Sequence, residues 1–377
     1  MAYSIKEGKD LVIKAGKILV QSGLIARTWG NISARISDTQ FVITPSGLAY
    51  ENLTPDEIVV VNIEDCSYEG NIKPSSEKGI HADGYRLRKD VNFIIHTHQV
   101  MASAISIDGK SIEVYDEEFK KVLGEKVPCA SYGMPSTKKL RKAVEKVISE
   151  NKNSNVVLMK YHGTVCYGKD LEDGFNIAET LEKLSEDKFN KIFSKKEENV
   201  SLLKDYGKSY RKGVKFVLNY EGKTEEYTVG EVKEEAPKVV KLHDSIYKHS
   251  KVNNIIHGKE EAILKVCREG HVLKPYLDDL AQIAGVNIKC LKDSEDNIKN
   301  IAKELKNKNA ILIEGIGALC TGITESEAEA VDMVLNKGCI ADIYGTKLNL
   351  SPLGSLDANI QRIIYVKKYS KQKDKEV

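Results

Sequence analysis

Apolar residues return every three or four positions at Leu11, Val12, Ala15, Ile18 and Leu19. This spacing predicts an amphipathic helix over residues 4–23, which Ser4 can cap and Gly23 can end. Residues 28–33 form a polar, glycine-containing turn leading into a strand. Short apolar runs at 41–44 and 58–63 predict buried strands, the first broken by Pro45-Ser46-Gly47, and residues 65–76 read as a polar loop. Helical spacing resumes over 77–88 (Ile80, Gly84, Leu87), over 137–150 (Leu140, Val144, Val147, Ile148) and along a long Glu- and Lys-rich segment, 171–193. Apolar stretches around 94–98 and 155–159 predict further strands, and residues 100–105 are small and apolar. The alternation of strands and helices predicts an α+β or three-layer α/β/α domain ending near residue 195, followed by a charged junction at 194–199. Residues 214–223 read as a strand and turn, 231–241 are charged, and the Lys-rich tail after Tyr369 is expected to fray.

The same pattern occurs twice. Ile94-Ile95-His96 matches Ile255-Ile256-His257 at an offset of 161, which also pairs Tyr115 with Tyr276, Gly124 with Gly285 and Cys129 with Cys290. Further along the offset is 154, pairing Leu158 with Leu312, Gly163 with Gly317, Cys166 with Cys320 and Gly168 with Gly322. The difference, 161 − 154 = 7 residues, is a loss expected in the part of the second copy that matches 133–152. The predicted organisation is therefore a tandem of α/β domains, 1–198 and 199–377.

Composition narrows the class. With 377 residues, 41% of them hydrophobic and 30% charged, the chain is long enough for two domains with cores of their own. A net charge of +2 implies no field for nucleic acid or an acidic membrane. No apolar run approaches the roughly 20 residues that cross a bilayer, and the opening residues lack the pattern of a secretory signal. The seven cysteines are scattered without a C-x-x-C pair, which fits a reduced, cytoplasmic protein.

The chemistry gathers in the first copy. His96 and His98 stand at i and i+2 on a predicted strand and so project to one face. His162 follows another strand, in a Tyr-His-Gly turn where a third ligand could arrive. Three neutral imidazoles give a facial ligand set with open positions, the pattern of a catalytic rather than a closed structural site; Zn²⁺ suits it, with Mn²⁺, Co²⁺ or Fe²⁺ as alternatives. Glu77 sits at a helix start after Ser75 and Ser76, where the free N–H groups favour an anion; an ordinary helix cap explains the same residues. His81 is either a partner to this site or a surface histidine. Gly30-Asn31 and Pro45-Ser46-Gly47 read equally as turns. In the second copy His98 falls opposite Lys259, His162 opposite Ile316 and Glu77 opposite Lys238, so only His257 remains of the trio.

Taken in order, Gly30-Asn31-Ile32-Ser33, Ile43-Thr44-Pro45-Ser46-Gly47, Pro74-Ser75-Ser76-Glu77, His96-Thr97-His98, Val127 to Tyr132 and His162-Gly163 make the first half resemble the class II aldolase/adducin-like family. The second half resembles it only through the repeat. The resemblance implies a three-layer α/β/α fold, Zn²⁺ on His96, His98 and His162, and Glu77 as acid/base. It also implies a substrate phosphate held by Gly30, Asn31, Ser46, Gly47, Ser75 and Ser76, and a tyrosine from a neighbouring subunit, for which Tyr115 is the match. The implied reaction is metal-dependent cleavage or formation of a carbon–carbon bond in a small ketose phosphate through an enediolate. The alternatives are a sugar-phosphate epimerase or dehydratase, or a non-catalytic adducin-like binding protein; the family's epimerases carry Asp where this chain has Glu77. The family's fourfold rings imply a homo-oligomer. A tandem chain could build such a ring from two copies of itself, in which Tyr276 of the degenerate domain would serve the Glu77 site.

Overall fold

A computed structural model describes residues 2–22, 24–25, 29–193 and 204–369. The expected helix end at Gly23, the junction 194–199 and the tail after Tyr369 lie outside the described residues. The chain separates into two compact units, Met1–Lys195 and Lys196–Val377.

The first unit runs α1 (Ile5–Gln21), β1 (Gly30–Arg35), β2 (Gln40–Ile43), β3 (Val59–Asn62), α2 (Lys78–Leu87), β4 (Phe93–Thr97), α3 (Val100–Ile105), β5 (Ile112–Glu113), α4 (Glu117–Leu123), β6 (Lys126–Val127), β7 (Cys129–Ala130), α5 (Lys138–Glu150), β8 (Val156–Met159), β9 (Gly163–Gly168) and α6 (Leu171–Ile192). Ser4 caps α1 through a reciprocal box with Glu7, as the sequence anticipates. Seven strands make one sheet in the order β3-β2-β1-β4-β9-β8-β7, antiparallel throughout except for the parallel β7–β8 edge. Ile80 and Tyr85 of α2 and Leu140, Val144 and Ile148 of α5 bury their apolar sides against Phe41, Ile94, Val157 and Val165 on one face. On the other, Phe93 and Ile95 lie against Gly174 of α6. Side-chain alternation along β4 therefore sends Ile94 and His96 together towards the α2 layer.

The second unit repeats this plan: β10 (Lys208–Lys212), β11 (Lys215–Tyr220), β12 (Lys223–Thr228), α7 (Lys238–His249), β13 (Asn254–Gly258), α8 (Glu261–Glu269), β14 (Cys290–Leu291), α9 (Ile298–Glu304), β15 (Ala310–Ile313), β16 (Gly317–Gly322), α10 (Glu325–Lys347) and α11 (Ser355–Ile364). Its sheet order, β12-β11-β10-β13-β16-β15-β14, is the first sheet's order strand for strand. Register agrees as well: Ser33 pairs with Ile94 and Ile95 with Cys166 in the first unit, Ser209 with Ile255 and Ile256 with Cys320 in the second. The missing seven residues fall between β14 and β15, where the 13-residue α5 is replaced by the 7-residue α9.

Both units keep one buried polar network. In the first, Ser33 Oγ lies 2.6 Å from His81 Nδ1 and 2.8 Å from Tyr85 Oη, and Arg35 donates to the Tyr85 carbonyl. In the second, Ser209 Oγ lies 2.7 Å from His243 Nδ1 and 2.8 Å from Tyr247 Oη, and Arg211 donates to the Tyr247 carbonyl. This equivalence of His81 with His243 and Tyr85 with Tyr247 corrects one expectation. On an offset of 162, Glu77 falls opposite Val239, not Lys238, because one residue is lost between helix and strand. No carboxylate stands there on either alignment.

Burial pushes the His243 imidazole down to about 4 and that of His81 to about 3, so both are neutral in the folded chain. The unfolded chain takes up those protons near pH 6.5 and the folded chain does not, so stability falls as pH drops from there towards 4. Each histidine then costs about 1.4 kcal/mol per pH unit. Chemical denaturation at pH 7 and pH 5 should show this loss, and His243→Asn should make the slope shallower. Among the described residues, no helix is long and apolar enough to cross a membrane.

Candidate metal centre

One strand end and a hairpin turn carry the three histidines. His96 is the fourth residue of β4 and His98 follows that strand's last residue. His162 ends the turn between β8 and β9, after Tyr161, whose φ of 65° turns the chain back on itself. Gly163 lets the two segments meet: a Cβ there would stand 2.3 Å from the Thr97 carbonyl oxygen. We expect Gly163→Ala to destabilise the first unit by about 2 kcal/mol and to weaken metal binding as β9 is forced away from β4. Thermal melts with and without added Zn²⁺ measure both effects.

The ligand atoms of His96, His98 and His162 all lie within 4.8 Å of one another, the one group among the described residues arranged to hold a metal ion. The ring centroids are 4.5–5.0 Å apart. His96 Nδ1 lies 2.7 Å from the Thr164 carbonyl oxygen. A carbonyl only accepts, so Nδ1 carries the proton and the Nε2 lone pair faces its neighbours, with His98 Nε2 3.0 Å away. Three imidazole nitrogens with one tautomer fixed from behind fit a divalent cation with positions to spare.

Glu77 caps the start of α2 without capping it chemically, since its side chain makes no hydrogen bond to the helix N-terminus. Its carboxylate turns instead towards the histidines: Oε2 is 3.2 Å from His96 Nε2 and Oε1 is 3.3 Å from His162 Nε2. The Ser136 N–H also donates to Oε1, at 3.4 Å. Burial would raise this carboxyl, but the imidazoles of His162 and His96 overcome it and hold the group well below the usual carboxylate range.

Ser46, Gly47, Ser75 and Ser76, anticipated in binding, lie on two adjacent loops, while Gly30 opens β1. A bridge joins Pro45 to Pro74, the Ser46 N–H donates to the Lys73 carbonyl and the Ser75 N–H to the Thr44 carbonyl. Ser75 Oγ accepts from the Glu77 N–H, while Ser76 Oγ lies 2.7 Å from Ser136 Oγ. Asn31 pairs with His96 across β1 and β4, so both side chains stand on the same face. Its Oδ1 is bonded to His81 Nε2. His81 is fully buried, so its surface reading is excluded.

Two tyrosines part company. Tyr115 is 82% exposed. Tyr276, expected to serve the Glu77 site of a ring, is instead buried; its ring packs against Gly345 and its hydroxyl donates to the Leu350 carbonyl at 2.9 Å. Within a single chain that hydroxyl is held inside its own unit. In the second copy the remaining His257 has turned inward too, its ring lying against Asp205 and the Ile316 carbonyl.

Sequence reasoning missed Ser136, and it missed Asp83 and Arg141. Asp83, on the buried side of α2, takes a two-pronged grip from Arg141 of α5 (2.6 and 2.8 Å) and a third bond from Arg86. This clamp fixes the helix that presents Glu77 against the helix start that presents Ser136. The only sequence signal was an acidic residue on the apolar side of a predicted helix.

The pattern of the class II aldolase and adducin N-terminal domain matches residues 10–188 and again 214–339. The 5-deoxy-D-ribulose 1-phosphate aldolase of Bacillus thuringiensis is 31% identical over 179 residues, which are 47% of this chain and 82% of that protein. The L-fuculose phosphate aldolase of Escherichia coli K12 is 33% identical over 168 residues, 45% of this chain and 76% of that one. That of Methanocaldococcus jannaschii is 33% identical over 175 residues, 46% and 92%. Among solved structures, an L-fuculose 1-phosphate aldolase aligns with a TM-score of 0.47 at 29% identity, over 52% of this chain and 90% of that one.

Proposed function

Since the chain belongs to the class II aldolase and adducin N-terminal domain family, we propose that it is a metal-dependent lyase that cleaves, or in reverse forms, a carbon–carbon bond in a small ketose 1-phosphate. The observation that carries this reading is the meeting of three imidazoles with a buried carboxylate 3.2–3.3 Å from two of them. The names of the relatives, aldolases of fuculose and deoxyribulose phosphates, agree in substrate class.

In this reading His96, His98 and His162 hold a divalent cation, zinc in the first instance. When bound, it supplies Lewis acidity towards a ketose carbonyl and the hydroxyl beside it. Glu77 is the acid/base: as the bond beyond the ketone breaks, the released aldehyde leaves an enediolate, and Glu77, ionised at rest, takes a proton from solvent and passes it to the enediolate carbon. Asn31, Ser46, Ser75 and Ser76, with the backbone at Gly30 and Gly47, take the phosphate; the hydrogen bonds that tie the 44–47 loop to the 73–76 loop set their spacing. Tyr115, exposed on its own unit, is the tyrosine suited to reach the site of another copy and to remove the hydroxyl proton from the departing aldehyde carbon's oxygen.

Residues 1–198 would then be the catalytic domain and 199–377 a degenerate copy that serves structure or assembly, since Lys259, Ile316 and Val239 replace two ligands and the acid/base. The test is aldehyde release from a panel of ketose 1-phosphates by the zinc-loaded chain. Cleavage of one of them supports the reading. A metal-loaded chain that cleaves none, and that exchanges no substrate proton with solvent, rejects it.

A further inference from the structure

The duplication supplies an internal control for the chemistry of His81. In the second unit His243 Nε2 lies 2.8 Å from the Tyr206 carbonyl. A carbonyl cannot donate, so Nε2 carries the proton. Nδ1 must then accept from the Ser209 hydroxyl, whose oxygen in turn accepts from Tyr247. The first unit repeats the same three residues at the same distances to within 0.1 Å: 2.6 and 2.8 Å against 2.7 and 2.8 Å. His81 takes the same tautomer, and its Nε2–H donates to Asn31 Oδ1.

What differs is the acceptor. By the offset of 176 that relates Ser33 to Ser209 and Arg35 to Arg211, Asn31 corresponds to Gly207, which has no side chain. The degenerate copy keeps the network but ends it on backbone. Only the copy that gathers three histidines inserts an amide between the network and the site.

An asparagine amide has nearly the same shape after a half-turn, but its two ends are opposite in character, acceptor and donor. A flipped Asn31 would point its oxygen at an anion and repel it. We propose that the Tyr85–Ser33–His81 chain is a positioning device that fixes the Asn31 carbonyl inward, so that both Nδ2 hydrogens are presented as donors to the phosphate of the substrate. This rests on the sugar-phosphate reading above, and its consequence is specific: His81 governs anion affinity without touching the anion.

The test is titration of the full, zinc-loaded chain with inorganic phosphate, followed by ³¹P NMR, with KM and kcat for the cleaved ketose phosphate as a second readout. His81→Leu removes the donor and should weaken phosphate binding about tenfold, the scale of one lost hydrogen bond to a charged group. KM should rise to match while kcat stays within about threefold. His81→Gln, whose amide nitrogen reaches close to where Nε2 stood, should restore most of the affinity. His243→Leu, the equivalent change in the second unit, should leave phosphate binding unchanged. Circular dichroism melts establish that each variant is folded. The proposal is overturned if folded His81→Leu binds phosphate like the unaltered chain, if His81→Gln binds no better than His81→Leu, or if His243→Leu weakens binding equally. An unaltered chain that binds no phosphate removes the sugar-phosphate reading, and the proposal with it.

Discussion

Glu77→Gln should lower cleavage of the ketose phosphate by about 10²–10⁴-fold, the range of a lost general acid/base, while leaving the fold and the bound metal in place. Glutamine keeps the size of the side chain and an oxygen for the Ser136 N–H. It cannot take or return a proton at working pH. The histidine trio is untouched, so metal content per chain, measured by plasma mass spectrometry, should equal that of the unaltered protein. The loss should lie in kcat, with substrate affinity changed little. A variant that retains turnover within tenfold, with metal bound, would remove Glu77 from the mechanism. Glu77→Ala is the poorer test. It empties a buried position beside two imidazoles, so disorder of the site would mix with loss of the proton carrier.

His162→Ala should be as severe, by a different route. It removes one of three nitrogens lying within 4.8 Å of one another, leaving a pair that cannot enclose an ion. Loss of even an indirect partner of a metal ligand costs roughly 10–100-fold in affinity, and a direct ligand exceeds that. The expected result is a chain that purifies without stoichiometric metal and is inactive. The unaltered protein should reach the same state after chelation and recover on adding Zn²⁺, whereas the variant should not recover. Full metal content together with normal turnover in His162→Ala would place the metal elsewhere. The two experiments separate the two halves of the site: one should abolish chemistry with the ion present, the other by losing the ion.

The meeting of the three histidines was legible because each position rests on local rules. His96 and His98 share a face by the twofold period of a strand, and His162 sits in the turn that brings the neighbouring strand back alongside. The duplication was legible for a related reason: within a strand or tight turn the spacing is fixed, so matched residues keep offsets of 161 and then 154 over the strands from β4 to β9. The Glu77 equivalent was misplaced by one residue because the slip falls between helix and strand, where no pairing holds the count. Tyr276 was matched to Tyr115 by sequence position alone, and the two differ in exposure. What buries Tyr276 is its packing against Gly345 and its bond to Leu350, 74 residues further along.

The order of elements and the convergence of three histidines follow from the sequence alone, since periodicity and turn chemistry are properties of neighbouring residues. Only the folded chain decides which face Glu77 turns to, that Arg141 grips Asp83 from 58 residues away, and that His81 is buried and holds Asn31. Those facts depend on which helix packs over which strand. They are set by the burial of whole apolar faces, so no short stretch of residues contains them.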